Sequence, residues 1–166
     1  RMPLQPELSM QRFGVPTAFD PTSYEHKAEL VIYYQRFHNL LEITGICFYA
    51  TYWCGLQMMG PDEVARLYSL ATGDNKTADE LMTEGEKILY LQKAFNMRHT
   101  TFDRASDYPP ERFMNEPATG PHAGERLERP DWDRLLDEYY GQRGWDLASG
   151  KPTAENFRAV GLPELA

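Results

Sequence analysis

The two cysteines, Cys47 and Cys54, are the residues of this sequence with the strongest metal-binding chemistry. They are seven residues apart, which matches no recognised metal-binding spacing by itself. Without further information, both are best interpreted as small buried hydrophobic residues. Two cysteines cannot cross-link a chain of 166 residues into a disulfide scaffold, so a reducing, cytoplasmic setting is expected.

The four histidines and the clustered acids have ordinary structural explanations. Two histidines fall on one predicted helix, where surface positions explain them, and two are isolated in or beside loops: His26, His38, His99 and His122. Four acidic residues lie in predicted first helical turns, where the positive end of the helix dipole stabilises their negative charge: Asp62, Glu63, Asp79 and Glu80. The sequence has no phosphate-binding glycine loop, GxSxG turn, CxxC pair or HExxH pair.

The overall charge excludes two classes of partner. The net charge is −8, the pI is near 5.0, and no cluster of Lys and Arg stands out. Nucleic acids and anionic membranes need a concentrated basic surface, so neither is expected to bind. No apolar run approaches the roughly 20 residues that span a bilayer. The N-terminus has no signal-peptide pattern.

Residues 1–99 divide into a lead-in and a set of helices. Residues 1–23 contain four prolines and predict an irregular lead-in, in which residues 2–6 form an extended linker. Because Arg1 is not a natural start, we expect the sequence to be a fragment of a longer chain. Apolar residues recur at helical spacing from Tyr24 to about Phe48. Helix signals then predict one helix from Gly60-Pro61 to Gly73, and another that starts with the capping box of Thr77 and Glu80.

The second half of the chain is less regular. Residues 100–129 contain four prolines and predict a long loop that is a candidate for binding. Residues 130–166 predict two short terminal helices, one from Pro130 to Gly141 and one from Pro152 to Gly161. No segment alternates with a period of two, so the predicted class is all-α, a single irregular helical domain with a long proline-containing loop.

Six landmarks in order resemble the C-terminal helical domain of the tungsten-dependent aldehyde:ferredoxin oxidoreductase family. The segment from Glu42 to Cys47, EITGIC, is similar to the family motif DxxGLC. Further landmarks precede and follow this motif, namely residues 27–35, the AFNMR segment at 94–98, the DYPPERF segment at 107–113, residues 138–146, and the terminal pattern at 150–162.

The resemblance implies a cofactor site. Members of the family bind a tungsten bis-pterin beside a 4Fe–4S cluster, and the motif cysteine is the fourth ligand of the cluster. The resemblance therefore implies that Cys47 is a metal ligand, which reverses its interpretation as a buried hydrophobic residue. Glu42, Gly45 and Ile46 would contact the pterin. Glu42 replaces the usual aspartate and reaches further by about 1.5 Å, and Ile46 replaces a leucine. Cys54 matches no ligand and is expected in the core.

The implied function is oxidation of a small aldehyde to a carboxylic acid, with electrons passed to ferredoxin or another electron-transfer subunit. The other cluster cysteines and a catalytic histidine would belong to an N-terminal portion preceding Arg1, so no catalytic residue is assigned in this chain. The loop at 100–129 and the residues before 24 are expected to shape substrate access. Two alternatives stay open: a tungsten enzyme of the same fold that reduces an aromatic thioester such as benzoyl-CoA, and a cofactor-free helical interaction module.

Overall fold

The computed structural model describes residues 6–20, 22–54 and 58–166. Seven α-helices occur in these residues, and we number them in chain order: α1 (Pro6–Phe13), α2 (Lys27–Thr44), α3 (Pro61–Thr72), α4 (Ala78–His99), α5 (Arg112–Asn115), α6 (Arg129–Arg143) and α7 (Ala154–Ala159). The described residues also form four short 3-10 helices, three between α-helices and one after α7: Phe48–Ala50, Arg104–Asp107, Gly120–His122 and Pro163–Leu165.

The all-α class is confirmed. Within the described residues there is no strand, and backbone pairing is limited to two isolated bridges, Thr51 with Met59 and Asp146 with Lys151. None of the described helices is both long enough and apolar enough to cross a membrane.

Helices α2 and α4 pack against each other at the centre of the fold. A Cβ atom on Gly85 of α4 would lie 2.2 Å from the carbonyl oxygen of Arg36 on α2, so only glycine fits at this crossing. The side-chain amide of Asn39 donates to the Gly85 carbonyl at 3.0 Å and fixes the same contact. This close approach explains why a glycine is placed inside a helix that it would otherwise weaken.

Two hydrophobic cores lie along this central pair. The first joins α2 to α1, α3 and the start of α4, with Phe37, Leu40, Leu41, Val64 and Leu81 buried in it. The second joins the end of α4 to α6, α7 and the segment between them, with Tyr90, Leu136, Tyr140, Trp145 and Phe157 buried in it. The first core therefore supports the helix that carries the EITGIC segment.

The helix signals at α3 and α4 are confirmed. Pro61 is the first residue of α3, and Gly73 ends it in the left-handed conformation with φ of 76°. Thr77 caps α4 through a hydrogen bond from the Glu80 amide, and the Glu80 carboxylate accepts from the Thr77 amide at 2.7 Å. The end of α3 and the start of α4 both depend on residues close together in the chain, so the sequence can predict them directly.

The prediction of an irregular lead-in over residues 1–23 is wrong from Pro6 to Phe13, where α1 forms. The hydroxyl of Ser9 donates to the Val15 carbonyl at 2.6 Å and accepts from the Ala18 amide at 3.0 Å. These bonds fold the following turn back onto α1. The extended linker expected at residues 2–6 lies, from 2 to 5, outside the described residues.

Other boundaries shift for identifiable reasons. Helix α2 starts at Lys27, later than expected, because His26 has a left-handed backbone with φ of 60°. Helix α6 continues past Gly141 to Arg143 and ends at Gly144, which has φ of 65°. The loop at 100–129 has no long helix but is built around three short helical turns.

Candidate functional site

The EITGIC segment begins in the last turn of α2 and leaves it through a glycine-dependent turn. Gly45 has φ of 71° and ψ of 17°, its amide donates to the Glu42 carbonyl at 3.3 Å, and the Ile46 amide donates to the Leu41 carbonyl at 3.0 Å. This pair of bonds is the Schellman arrangement that ends many helices. Ile46 then packs against the first core, close to where Leu41 is buried.

Gly45 is therefore required by backbone conformation. A side chain at positive φ is strained, and a Cβ atom at this position would meet no described atom within 4 Å. The space in front of the glycine is open. That openness leaves room for a ligand to approach the backbone.

The acidic residue of the segment is accessible. Glu42 lies in the last turn of α2 and is exposed, as is its neighbour Ile43, with 48% of its surface accessible. The Glu42 side chain can therefore turn to meet a group outside this chain without breaking internal packing.

Cys47 follows directly and is also exposed. Its backbone is extended, with φ of −65° and ψ of 127°, and its carbonyl accepts from the Ala50 amide at 2.9 Å, which starts the 3-10 helix Phe48–Ala50. The interpretation of Cys47 as a small buried hydrophobic residue is wrong. Its thiol is available to a ligand or metal.

The prediction that Cys54 lies in the core is also wrong, since Cys54 is exposed. Its amide donates to the Thr51 carbonyl at 3.0 Å, and this turn directs Thr51 and Tyr52 inward, where they are buried. Cys54 then points outward at the end of the same turn. The chain thus has two accessible thiols with different surroundings.

An aromatic cluster fixes the segment after Cys47 onto α2. The imidazole of His38 lies on the ring of Phe48, with centroids 4.0 Å apart, and the Trp53 ring lies 4.7 Å from Phe48. Tyr34 meets Trp53 edge to face at 5.8 Å. Aromatic contacts of this kind fix relative orientation as well as adding buried area.

The sequence predicted a surface position for His38, but the residue is half-buried. Burial lowers the pKa of its imidazole, and the negative charge of Glu42, one turn later on α2, opposes that shift. The spacing of four residues between His38 and Glu42 was visible in the sequence. The partial burial of His38 was not visible in the sequence, because it depends on Phe48 folding back against α2.

A second layer of packing supports Thr51 and Tyr52. Tyr52 stacks on Phe37 at 5.2 Å, and its hydroxyl is hydrogen-bonded to that of Tyr33. The Tyr52 amide donates to the Met59 carbonyl at 3.0 Å, which joins the two ends of the 51–59 segment. The segment after Cys47 is held by the first core and by the backbone.

The described residues do not form a complete metal site. Among residues 6–20, 22–54 and 58–166, no group of three or more His, Cys, Asp or Glu residues is arranged to hold a metal ion. One exposed thiol, one exposed carboxylate and an open glycine turn lie at the end of α2. These donors suit a shared site, in which Cys47 supplies a soft sulfur ligand and Glu42 a hydrogen-bond acceptor.

Comparison with known proteins gives a consistent picture. Residues 1–162 match the family described as aldehyde ferredoxin oxidoreductase, domains 2 and 3. The chain is 28% identical over 160 residues to the tungsten-containing aldehyde ferredoxin oxidoreductase of Pyrococcus furiosus, and 26% identical to that of Thermococcus kodakarensis. Each alignment covers 95% of this chain and 25% of the relative, so the chain spans about a quarter of their length.

A solved structure is also similar in fold. The active site complex BamBC of benzoyl coenzyme A reductase, bound to 1,5-dienoyl-CoA, aligns with a TM-score of 0.66 and 20% identity. The alignment covers 88% of this chain and 20% of that chain. At this identity the likeness concerns the fold alone.

Proposed function

The chain belongs to the aldehyde ferredoxin oxidoreductase family, and from this membership we propose that it is the C-terminal part of an oxidoreductase that converts small aldehydes to carboxylic acids. The proposed cofactors are a tungsten bis-pterin and a 4Fe–4S cluster, with ferredoxin or another electron-transfer subunit as acceptor. When bound, these groups would supply the two-electron oxidation and the path for its electrons. The residues of this chain would bind and orient them.

One observation carries the proposal. The exposed carboxylate of Glu42, the open turn at Gly45 and the exposed thiol of Cys47 lie together at the end of α2. A pterin and a cluster that are neighbours can both be contacted from one compact segment. This helix end provides such a segment.

Cys47 is proposed as the fourth ligand of the cluster. A thiolate is the ligand that iron in such clusters prefers, and its position directly after a rigid helix end would hold the sulfur in place. The contact of His38 with Phe48 restrains the residue that directly follows Cys47. The other three cysteines are proposed to come from an N-terminal portion of the same enzyme.

Glu42, Gly45 and Ile46 are proposed to contact the pterin. The Glu42 carboxylate would accept hydrogen bonds from the pterin ring, and its exposure gives it the rotational freedom to use a side chain longer than the aspartate it replaces. Gly45 would let the ring approach the backbone. Ile46, held by the first core, would fix the position of the turn.

The surface around this helix end suits contact with more protein. Ile43, Tyr49 and Met58 are exposed hydrophobic residues, and Tyr49 has 71% of its surface accessible. We propose that the N-terminal portion covers them, since apolar surface near a site usually marks an interface. The two free thiols agree with the proposed cytoplasmic location.

Activity assays test the reaction. The protein is purified without air together with any polypeptide joined to it, and is then offered short-chain and aromatic aldehydes with oxidised ferredoxin as acceptor. Carboxylate formation with concomitant ferredoxin reduction supports aldehyde oxidation. Turnover of benzoyl-CoA and no aldehyde oxidation would favour the second candidate, an aromatic thioester reductase, to which only the fold likeness points.

The interaction-module alternative is tested by composition. Metal, sulfide and intact-mass analysis of the same preparation would find a metal-free species of 19.2 kDa if the chain acts alone as a helical binding module. Tungsten and iron in a larger species would argue against it. This measurement separates the absence of cofactor from the absence of a suitable substrate.

A further inference from the structure

The exposed residue Cys47 stands between two neighbours that are both anchored to the fold. Ile46, directly before it, packs against the first core, and its amide donates to the Leu41 carbonyl at 3.0 Å. Phe48, directly after it, is half-buried. The position of an exposed side chain is limited by the mobility of its own backbone. The anchors on Ile46 and Phe48 therefore decide how precisely the sulfur of Cys47 is placed.

Two ring contacts fasten the segment after Cys47 to α2. The His38 ring lies on Phe48 with centroids 4.0 Å apart, and the Tyr34 ring meets Trp53 at 5.8 Å. The first contact acts on the residue next to Cys47, whereas the second acts on a residue five positions further along the chain. Trp53 also contacts Phe48, at 4.7 Å, but it belongs to the same segment. His38 is thus the part of α2 that fixes Phe48 directly.

The contact between His38 and Phe48 lies at the edge of the first core. Both residues are half-buried, whereas their neighbours Phe37, Leu40 and Leu41 on α2 are buried. Those three residues supply the packing that holds α2 in the fold. A ring contact at the edge of a core chiefly fixes the relative orientation of the segments that it joins.

His38 is also close to the acidic residue of the EITGIC segment. Glu42 follows it by four residues on α2, a spacing that places two side chains on the same face of a helix. The negative charge of Glu42 opposes the lowering of the His38 pKa by burial, as expected for neighbouring side chains. His38 therefore lies next to both parts of the segment, the acidic residue at one end and the residue after the cysteine at the other.

We propose that His38 is a positioning residue, whose ring fixes Phe48 and thereby holds Cys47 in place before any cofactor binds. A ligand that is already held in position loses little conformational freedom when it binds, so the helix end is preorganised. The role of Cys47 as a cluster ligand rests on the proposed function. The fixation of Cys47 by His38 is a property of this chain and does not depend on it.

Amide order parameters from nuclear magnetic resonance test the fixation on the protein as isolated. We expect values of about 0.85 at Cys47 and Phe48 in the parent, as in rigid backbone, and a fall toward about 0.6 in His38→Ala. His38→Phe keeps a flat ring at this position and is expected to restore the parent values. Unchanged order in His38→Ala, or the same loss in His38→Phe, would overturn the proposal.

The matched control is His99→Ala. His99 also lies on an aromatic ring, that of Phe95 at 4.5 Å, but both of these residues are exposed at the end of α4. Its loss is expected to leave the order parameter of Cys47 unchanged. If His38→Ala is poorly folded, Phe48→Ala removes the other half of the same contact and should also lower the order at Cys47. Retained order in Phe48→Ala would contradict the proposal.

The consequence for the cluster is tested in preparations made without air, together with any polypeptide joined to the chain. We expect the electron paramagnetic resonance lines of the reduced cluster to broaden in His38→Ala, because a mobile ligand gives a range of cluster geometries. His38→Phe and His99→Ala should keep the parent spectrum. An unchanged spectrum in His38→Ala would overturn the role of His38 at the cluster. A parent without iron would instead refute the proposed function, and the order parameters would still decide whether His38 fixes Cys47.

Discussion

The imidazole of His38 lies on the ring of Phe48 with centroids 4.0 Å apart, and this contact ties the residue after Cys47 to the middle of α2. The backbone turn at Gly45 brings Phe48 back to that position. The exposed thiol is thus held between a helix end and an aromatic contact. Its position is determined by residues that are not themselves ligands.

Replacing His38 with alanine is expected to loosen this segment. The variant loses the contact with Phe48, and we predict a decrease of about 1 kcal/mol in the free energy of unfolding, the usual size of an aromatic pair contact. Urea unfolding measures it. His122→Ala is the control, since His122 is exposed and pairs with nearby Glu125. Equal stability of the two variants would show that the His38 contact adds nothing.

Gly45→Ala tests the left-handed turn. Because Gly45 has φ of 71° and an added Cβ meets no described atom, the expected cost is backbone strain alone, about 1 kcal/mol of unfolding free energy. Gly141→Ala is a matched control: Gly141 is exposed inside α6, where alanine should stabilise by up to about 1 kcal/mol. Denaturant unfolding of both proteins gives the comparison. Destabilisation by both changes would contradict this account.

Asp133 is expected to make stability depend on pH in acid. The Tyr108 hydroxyl, which donates to its carboxylate, and the Arg104 guanidinium hold the pKa of Asp133 below its ordinary value of 3.8. A carboxyl group with a lowered folded-state pKa stabilises the fold above 3.8, and that stabilisation disappears as pH falls through the folded value. We predict that Asp133→Asn is less stable than the parent at pH 7.

The same prediction requires the difference to vanish in acid. The unfolding midpoints of parent and Asp133→Asn should converge once pH falls well below 3.8. Tyr108→Phe removes the principal donor and should reproduce part of the loss at neutral pH. A difference that stays constant from neutral to acid pH would mean that the Asp133 charge is not its source.

Glu42 tests the proposed pterin contact. In preparations made without air, Glu42→Asp restores the residue usual in the family and is expected to keep the tungsten content of the parent. Glu42→Gln loses the charge and is expected to retain less tungsten, because the amide accepts more weakly and presents only one oxygen. Since Glu42 is exposed in this chain, unfolding should be nearly unchanged in both. Equal tungsten in the two variants would count against the contact.

The elements that the sequence predicted well are those with local causes. The capping box of Thr77 and Glu80, Pro61 at the start of α3 and Gly73 at its end act within a few residues, so their signals can be read along the chain. The all-α class followed from the same kind of periodicity. Gly85 could be identified as unusual, but the approach of Arg36 that explains it required the fold.

The features that the sequence missed depend on contacts between distant segments. Helix α1 is held by a turn that is hydrogen-bonded to the Ser9 hydroxyl. The prolines on either side of α1 concealed this helix in the sequence. The exposure of Cys54 follows from the inward direction of Thr51 and Tyr52, and the half-buried position of His38 from the return of Phe48.

The role of Cys47 is tested by iron, sulfide and tungsten analysis of the protein purified without air together with the N-terminal portion proposed to supply the other cysteines, made in parallel for the parent, Cys47→Ser and Cys54→Ser. Both thiols are exposed, so neither change should alter folding. If Cys47 is a cluster ligand, the parent and Cys54→Ser will contain tungsten and about four irons, while Cys47→Ser will lose iron and the spectrum of the cluster. A parent without metal, or Cys47→Ser with iron content and spectrum unchanged, would contradict the account.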